Sequence, residues 1–154
     1  MAEKLVIYDS IFGNTAKIAK AIGEALGDAD VKKVTEVTPP DLDDLKVLFV
    51  GSPTRGFNPT PDIKNFLKGL NKGALNGIKA AAFDTRIPYE NADPAFLRLM
   101  IRWFGYADEK MIKQLSRAGA DLAIDSEGFG VKDSEGPLID GEIERAKAWA
   151  VRIL

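Results

Sequence analysis

The residues best suited to chemistry lie in three loops. The first reads Ser10-Ile11-Phe12-Gly13-Asn14-Thr15, between a short apolar run and the first helical pattern. Hydroxyls at Ser10 and Thr15, a flexible Gly13 and the free N–H groups of a helix start would surround a phosphate without any lysine. Neutral donors suit a terminal phosphate that is bound and not transferred. The segment lacks the lysine of a nucleotide-hydrolysing P-loop and the three spaced glycines of a dinucleotide fingerprint. Read locally, Gly13-Asn14 is equally a turn with Asn14 or Thr15 as helix cap.

The second loop is Gly51-Ser52-Pro53-Thr54-Arg55-Gly56-Phe57-Asn58-Pro59, and the third is Phe83-Asp84-Thr85-Arg86-Ile87-Pro88-Tyr89. The second is either a surface that wraps a flat ligand or a rigid Pro/Gly turn with Phe57 in the core. In the third, Asp84 and Arg86 either reach a ligand or pair with each other or with surface charges.

Composition removes several alternatives. Among 154 residues there is no cysteine and no histidine, which excludes disulfides, thiolate nucleophiles and imidazole acid–base catalysis. Redox chemistry would have to come from a bound cofactor. A net charge of -2 gives no basic footprint, so nucleic acid is not expected as a partner. No apolar run approaches the roughly 20 residues needed to span a bilayer, and Met1 to Leu5 lacks a signal-peptide core. A cytoplasmic location and one domain over residues 1–154 are the expectations.

The elements that must position these loops alternate between strand and helix. Leu5 to Tyr8, Val47 to Val50, Ile78 to Phe83 and Ala120 to Ile124 are continuous apolar runs, as in strands buried on both faces. Val31 to Val37 alternates and reads as an edge strand. Ile18, Ile22 and Leu26 mark a first helix stopped by Gly27; Asp41 to Leu45 allows only a short one. Thr60 caps a helix with Pro61 in its first turn, where Ile63, Phe66, Leu67 and Leu70 share a face. Further helices are expected over Pro94 to Phe104, Asp108 to Ala118 and Glu142 to Leu154. This order predicts a doubly wound five-stranded parallel α/β sheet, order 2-1-3-4-5, with helices on both faces. Ligands bind such sheets at the carboxyl ends of the strands, where the winding reverses. The three loops lie there.

The first loop resembles the phosphate loop of flavodoxins, commonly Ser/Thr-x-Thr-Gly-Asn-Thr, at Ser10, Gly13, Asn14 and Thr15; Phe12 replaces a hydroxyl residue. The second resembles the Gly-Ser/Thr-Pro-Thr segment of flavodoxins and related quinone reductases. The resemblance implies flavin mononucleotide (FMN) as cofactor. The phosphate would sit in the first loop, Phe12 included. Ser52 and Pro53 to Asn58 (Pro53, Thr54, Arg55, Gly56, Phe57, Asn58) would line the isoalloxazine ring, with Phe57 stacking on one face. In the third loop Asp84, Thr85 and Arg86 would approach the pyrimidine edge, and Tyr89 would stand in for a covering Tyr. That loop departs from the Gly-Asp pattern of electron-transfer flavodoxins and is similar to a less familiar branch of flavodoxin-domain proteins.

Three functions follow from the resemblance. The first is an electron carrier serving an unidentified redox protein, with Arg55 or Arg86 raising the flavin potential if either reaches N1. The second is an NAD(P)H-dependent quinone or flavin reductase, and the third a flavin-free scaffold. A doubly wound sheet needs one helix between its last two strands, so Pro94 to Phe104, apolar on most faces, is extra. It is expected as a self-association surface over residues 94–106, as a flap over the flavin, or as a helix tucked into its own domain. The acidic stretch Asp125 to Glu144 is expected to be a solvated face, or else a dock for a basic partner.

Overall fold

A computed structural model describes residues 3–91 and 95–154 of the chain. Its strands are β1 (Lys4–Tyr8), β2 (Ala29–Lys33), β3 (Val47–Pro53), β4 (Lys79–Arg86), β5 (Asp121–Leu122) and β6 (Glu127–Gly130). Its α-helices are α1 (Asn14–Leu26), α2 (Pro61–Lys68), α3 (Ala95–Phe104), α4 (Ala107–Arg117) and α5 (Glu142–Ala150). All the strand pairings are parallel, in the order β2-β1-β3-β4-β5, with β6 also on β4.

The period of two along each central strand divides the core into two layers. Leu5 and Ile7, Leu48 and Val50, Ala80 and Ala82 face Ile63 and Leu67 of α2 and Met111 and Leu115 of α4. Val6, Val47, Phe49, Ala81 and Phe83 face Ile18 and Ile22 of α1 and Ala146, Trp149 and Ala150 of α5. Phe49, Phe83 and Phe129 surround Trp149 edge-on, with centroid separations of 5.2, 6.3 and 5.8 Å. Such pairs add about 1 kcal/mol each beyond the area they bury.

Three expectations need correction. The edge strand ends at Lys33, and Val34–Glu36 turns as a 3₁₀-helix that buries Val34. The last sheet position is filled by two strands in succession: β5 pairs with Lys79 and Ala80, and β6 with Phe83 to Arg86. Between them the Asp125 carbonyl accepts from the Trp149 indole, and the Ser126 hydroxyl donates to Asp108. Polar atoms there are satisfied by side chains instead of the ladder. The stretch from Asp125 to Glu144 is therefore not simply a solvated face, since Phe129 is wholly buried and Glu142 accepts from the Gly130 amide at 2.6 Å.

Expected helix boundaries hold for α1, α2 and α4 within a residue or two. Thr60 accepts from the Ile63 amide at 3.5 Å, as its cap position requires. The final helix passes into 3₁₀ geometry at Val151. The expected start at Pro94 lies outside the described residues. Within α3 Ile101 is buried, whereas Phe96 and Trp103 are 66% and 78% exposed. Among the described residues no helix is long and apolar enough to cross a membrane.

Candidate functional site

The parallel register brings the ends of β1, β3 and β4 together. Tyr8 lies opposite Gly51 and Gly51 opposite Phe83. Gly51 is required there: a Cβ would stand 2.1 Å from the Phe83 ring, inside any permitted contact. One residue past β1, the Asp9 amide donates to the Gly51 carbonyl at 3.1 Å, and the chain enters the first loop.

The first loop turns into α1 through Gly13, whose φ of 92° lies in the left-handed region that glycine adopts without a Cβ penalty. The Ser10 hydroxyl accepts from the amides of Gly13 (3.1 Å) and Ala16 (3.3 Å), capping the helix from outside its first turn. The amides of Asn14 and Thr15 have no acceptor among the described residues. They are the orphan donors of a helix start, at its positive end. Asn14 and Thr15 are themselves buried. The Asn14 side chain is held by the Glu135 carbonyl at 3.0 Å, while the Thr15 hydroxyl lies 2.8 Å from that of Thr85.

Beside these amides opens a cleft with about 490 Å³ of empty space, lined by Ser10, Phe12, Asn14, Thr15, Pro53, Thr54, Arg55, Thr85 and Arg86. All three loops singled out in the sequence contribute. Ile11, Ile87, Val131 and Ser134 line it as well and were not anticipated. Ile11 and Ile87 adjoin predicted positions, but nothing in the sequence marks Val131 or Ser134. They arrive through β6 and the return toward Leu138, with which Val131 forms an antiparallel bridge.

The second loop is a tight hairpin. Arg55 and Asn58 exchange backbone bonds of 2.8 and 3.0 Å, and Gly56 and Phe57 between them both have positive φ, 54° and 68°. These are the dihedral signs of a type I′ turn. The Ser52 hydroxyl is wholly buried and accepts from the Thr60 amide at 2.9 Å, so it braces the loop from behind. Phe57 does not line the cleft; its ring packs against Phe104 of α3 with centroids 5.5 Å apart. The expected stacking role of Phe57 is thus not prepared, because its turn directs the side chain toward α3. Arg55 reaches the first loop, its guanidinium carbon 5.5 Å from the Phe12 ring centroid.

The third loop is anchored by charge. Arg86 donates through Nε and Nη2 to both oxygens of Asp84, at 2.6 and 2.7 Å, and Nη2 lies 3.1 Å from Asp108 Oδ1. Asp84 is wholly buried and also accepts from the Asp108 amide at 3.0 Å. The guanidinium stacks on the Tyr106 ring, 3.7 Å from its centroid. Burial pushes the Asp84 carboxyl up to about 7, against the Arg86 hydrogen bonds that favour its ionised form. Burial also drives the Tyr106 phenol to about 12. Two carboxyl groups contact this one guanidinium and take up its charge. Arg86 is therefore not the free cation that a raised flavin potential would need. Asp84 lies behind it and does not line the cleft, and neither does Tyr89, which lines a separate cavity with Tyr106, Glu142 and Arg145. Asp108 and Tyr106, which hold Arg86, escaped the sequence reading because their partners lie about 20 residues away.

The flavodoxin family profile matches residues 6–149. The chain is 32% identical over 111 residues to an NAD(P)H dehydrogenase (quinone) of Rhodopseudomonas palustris, covering 54% of this chain and 56% of that one. It thus spans about half the length of such curated relatives. Among solved structures, oxidised flavodoxin 2 of Bacillus cereus superposes with a TM-score of 0.76 at 20% identity over 99% of this chain and 97% of that one. The rubredoxin oxygen:oxidoreductase of Desulfovibrio gigas aligns at a TM-score of 0.73 and 22% identity over 99% of this chain but 35% of its own. With a profile match over almost its whole length, at the strand ends where the three loops converge, the chain belongs to the flavodoxin family.

Proposed function

We propose that the chain binds FMN and carries electrons. The observation that supports this most directly is the pair of unclaimed amides at Asn14 and Thr15, aimed from a helix start beside a cleft that all three loops line. A doubly charged phosphoryl group fits such a site: the helix terminus supplies positive potential and the amides supply donors. A bare Gly13, with nothing within 4 Å of where its Cβ would be, leaves room for it. Bound FMN would supply one- and two-electron chemistry that this set of side chains lacks. The chain's own residues hold the phosphate, position the ring between Pro53–Arg55 and Thr85–Ile87, and narrow the cleft mouth with Phe12 and Arg55. The Asp84–Arg86–Asp108 cluster takes up the Arg86 charge behind the third loop, whereas Arg55 lines the cleft with no salt-bridge partner among the described residues.

The test is the absorption spectrum of the purified protein and a titration of the flavin-free form with FMN, followed by fluorescence quenching. Flavin bands and saturation at micromolar FMN or below are expected. A colourless protein that ignores FMN in that range overturns the proposal and leaves the flavin-free scaffold.

The name of the Rhodopseudomonas relative supports a second reading, an NAD(P)H-dependent quinone reductase. Steady-state oxidation of NADH or NADPH by a benzoquinone separates the two. Turnover with the FMN-loaded chain alone establishes the enzyme; its absence leaves the carrier.

A further inference from the structure

Away from the cleft, α2 and α4 enclose a groove lined by Asn58, Pro59, Lys64, Leu67, Lys68, Lys110, Lys113 and Gln114. Four lysines meet there and no carboxylate does, in a chain whose net charge is -2. Lys64, Lys68 and Lys113 are exposed, and none has a salt-bridge partner among the described residues. Spacing produces this: Lys64 and Lys68 are four apart on α2, and Lys110 and Lys113 three apart on α4, so each pair shares a face. Arg117, at the far end, straps the helices together by donating to the Leu67 and Leu70 carbonyls at 3.0 Å. The acidic residues of the two helix starts, Asp62, Asp108 and Glu109, do not line the groove.

Lys110 belongs to the same groove. Its pKa lies below the ordinary lysine value because of burial first, with the Lys64 charge adding to the effect and Glu109 opposing it. Its Nζ donates to the carbonyls of Phe57 and Phe104, so it fastens the second loop to α3 and α4. The groove floor is apolar at Leu67 and Pro59, and its rim is cationic. That is the anatomy of a recognition surface more than of a solvated one, where mixed charges are the rule.

We propose that the α2–α4 groove docks the acidic surface of a redox partner protein. The proposal rests on the electron-carrier reading and gives its partner a chemistry. Unpaired cations lining one face meet a negative patch without first breaking their own ion pairs, and they steer encounter at low ionic strength. Asn58 and Pro59 belong to the second loop, which also lines the cleft at Pro53 to Arg55. A partner seated on the groove is therefore beside the loop that would wrap the ring. This polarity is opposite to the one suggested by the acidic stretch from Asp125 to Glu144.

The probe is cytochrome b5, an acidic haem protein, titrated into the isotopically labelled chain and followed by amide chemical shifts, with and without added FMN. Shifts confined to Asn58 to Lys68 and Lys110 to Arg117 are expected at low salt and are lost at about 0.3 M salt, where the screening length is well under 10 Å. The triple variant Lys64→Glu, Lys68→Glu, Lys113→Glu, all at exposed positions, is expected to bind about tenfold more weakly, a change of about 1.4 kcal/mol. Basic cytochrome c is expected to produce no shifts there in the parent. Shifts centred elsewhere, equal binding by parent and variant, or tighter binding of duplex DNA than of cytochrome b5 overturn the proposal. Because the titration also runs without FMN, a chain that ignores flavin overturns the carrier reading while the groove result stands by itself.

Discussion

The hydroxyls of Thr15 and Thr85, 70 positions apart in sequence, meet at 2.8 Å beneath the cleft. Thr15 lies in the first turn of α1 and Thr85 one residue before the end of β4, so this bond fixes the first loop against the third. Both residues are buried, at 1% and 5% exposure. Removing either hydroxyl strands the other. Thr15→Val and Thr85→Val are each expected to cost about 1–3 kcal/mol, and the double variant clearly less than their sum. Urea denaturation of the four proteins measures the coupling; strict additivity would show that the contact carries no weight.

A larger loss is expected at the charged cluster. Arg86→Gln leaves Asp84, with no exposed surface, facing the Asp108 amide and the Asp108 carboxylate without a cation between them. Breaking a buried pair from one side costs up to about 3–5 kcal/mol, less where the stranded carboxyl, here already raised to about 7, takes up a proton. Chemical denaturation at pH 7 reads this directly, and a loss under about 1 kcal/mol would mean that the cluster is far wetter than its geometry.

Glu142 gives a pH dependence whose sign is definite. Hydrogen bonds from Arg145, then from the Gly130 amide, hold its carboxyl below the ordinary value of 4.5. A depressed carboxylate stabilises the fold fully above its unfolded pKa, and the contribution fades as pH falls through the folded value. The gap in urea midpoint between parent and Glu142→Gln should therefore be widest near neutrality and narrow as pH falls below 4.5 toward the folded value. A gap that is constant across this range removes Glu142 as the anchor of β6.

Gly13 tests backbone freedom together with ligand binding. Its φ of 92° strains any residue with a Cβ, although nothing stands within 4 Å to clash. Gly13→Ala is expected to lose about 1 kcal/mol of stability through the backbone alone. FMN affinity should fall with it, since the Asn14 and Thr15 amides follow from this turn. Calorimetry and fluorescence titration of the same sample separate the two effects.

Trp103 lies at the opposite extreme. At 78% exposure it contributes little to the fold of one copy, and Trp103→Glu should leave the unfolding free energy within about 0.5 kcal/mol. Sedimentation of the parent beside this variant tests the self-association expected of residues 94–106. Equal mass for both at all concentrations would leave that surface without a second copy.

How much of this was legible in one dimension depended on the range of the interactions. Apolar runs at Leu5, Val47 and Ile78 are local, and continuous burial on both faces forces a parallel sheet between helices, so the strand order followed from pattern alone. The turn of the first loop was legible for the same reason: Ser10 and Gly13 act through neighbouring backbone, within one turn of α1. Only the tertiary structure could decide where Phe57 points, since Phe104 lies 47 positions away, or that Arg86 is claimed by Asp84 and Asp108. The last strand is interrupted where Asp125 and Ser126, residue types that do not favour strands, bond instead to Trp149 and Asp108. Backbone geometry is set by nearest neighbours and periodicity, whereas the direction of a side chain and the fate of a buried charge are set by whatever the fold brings against them.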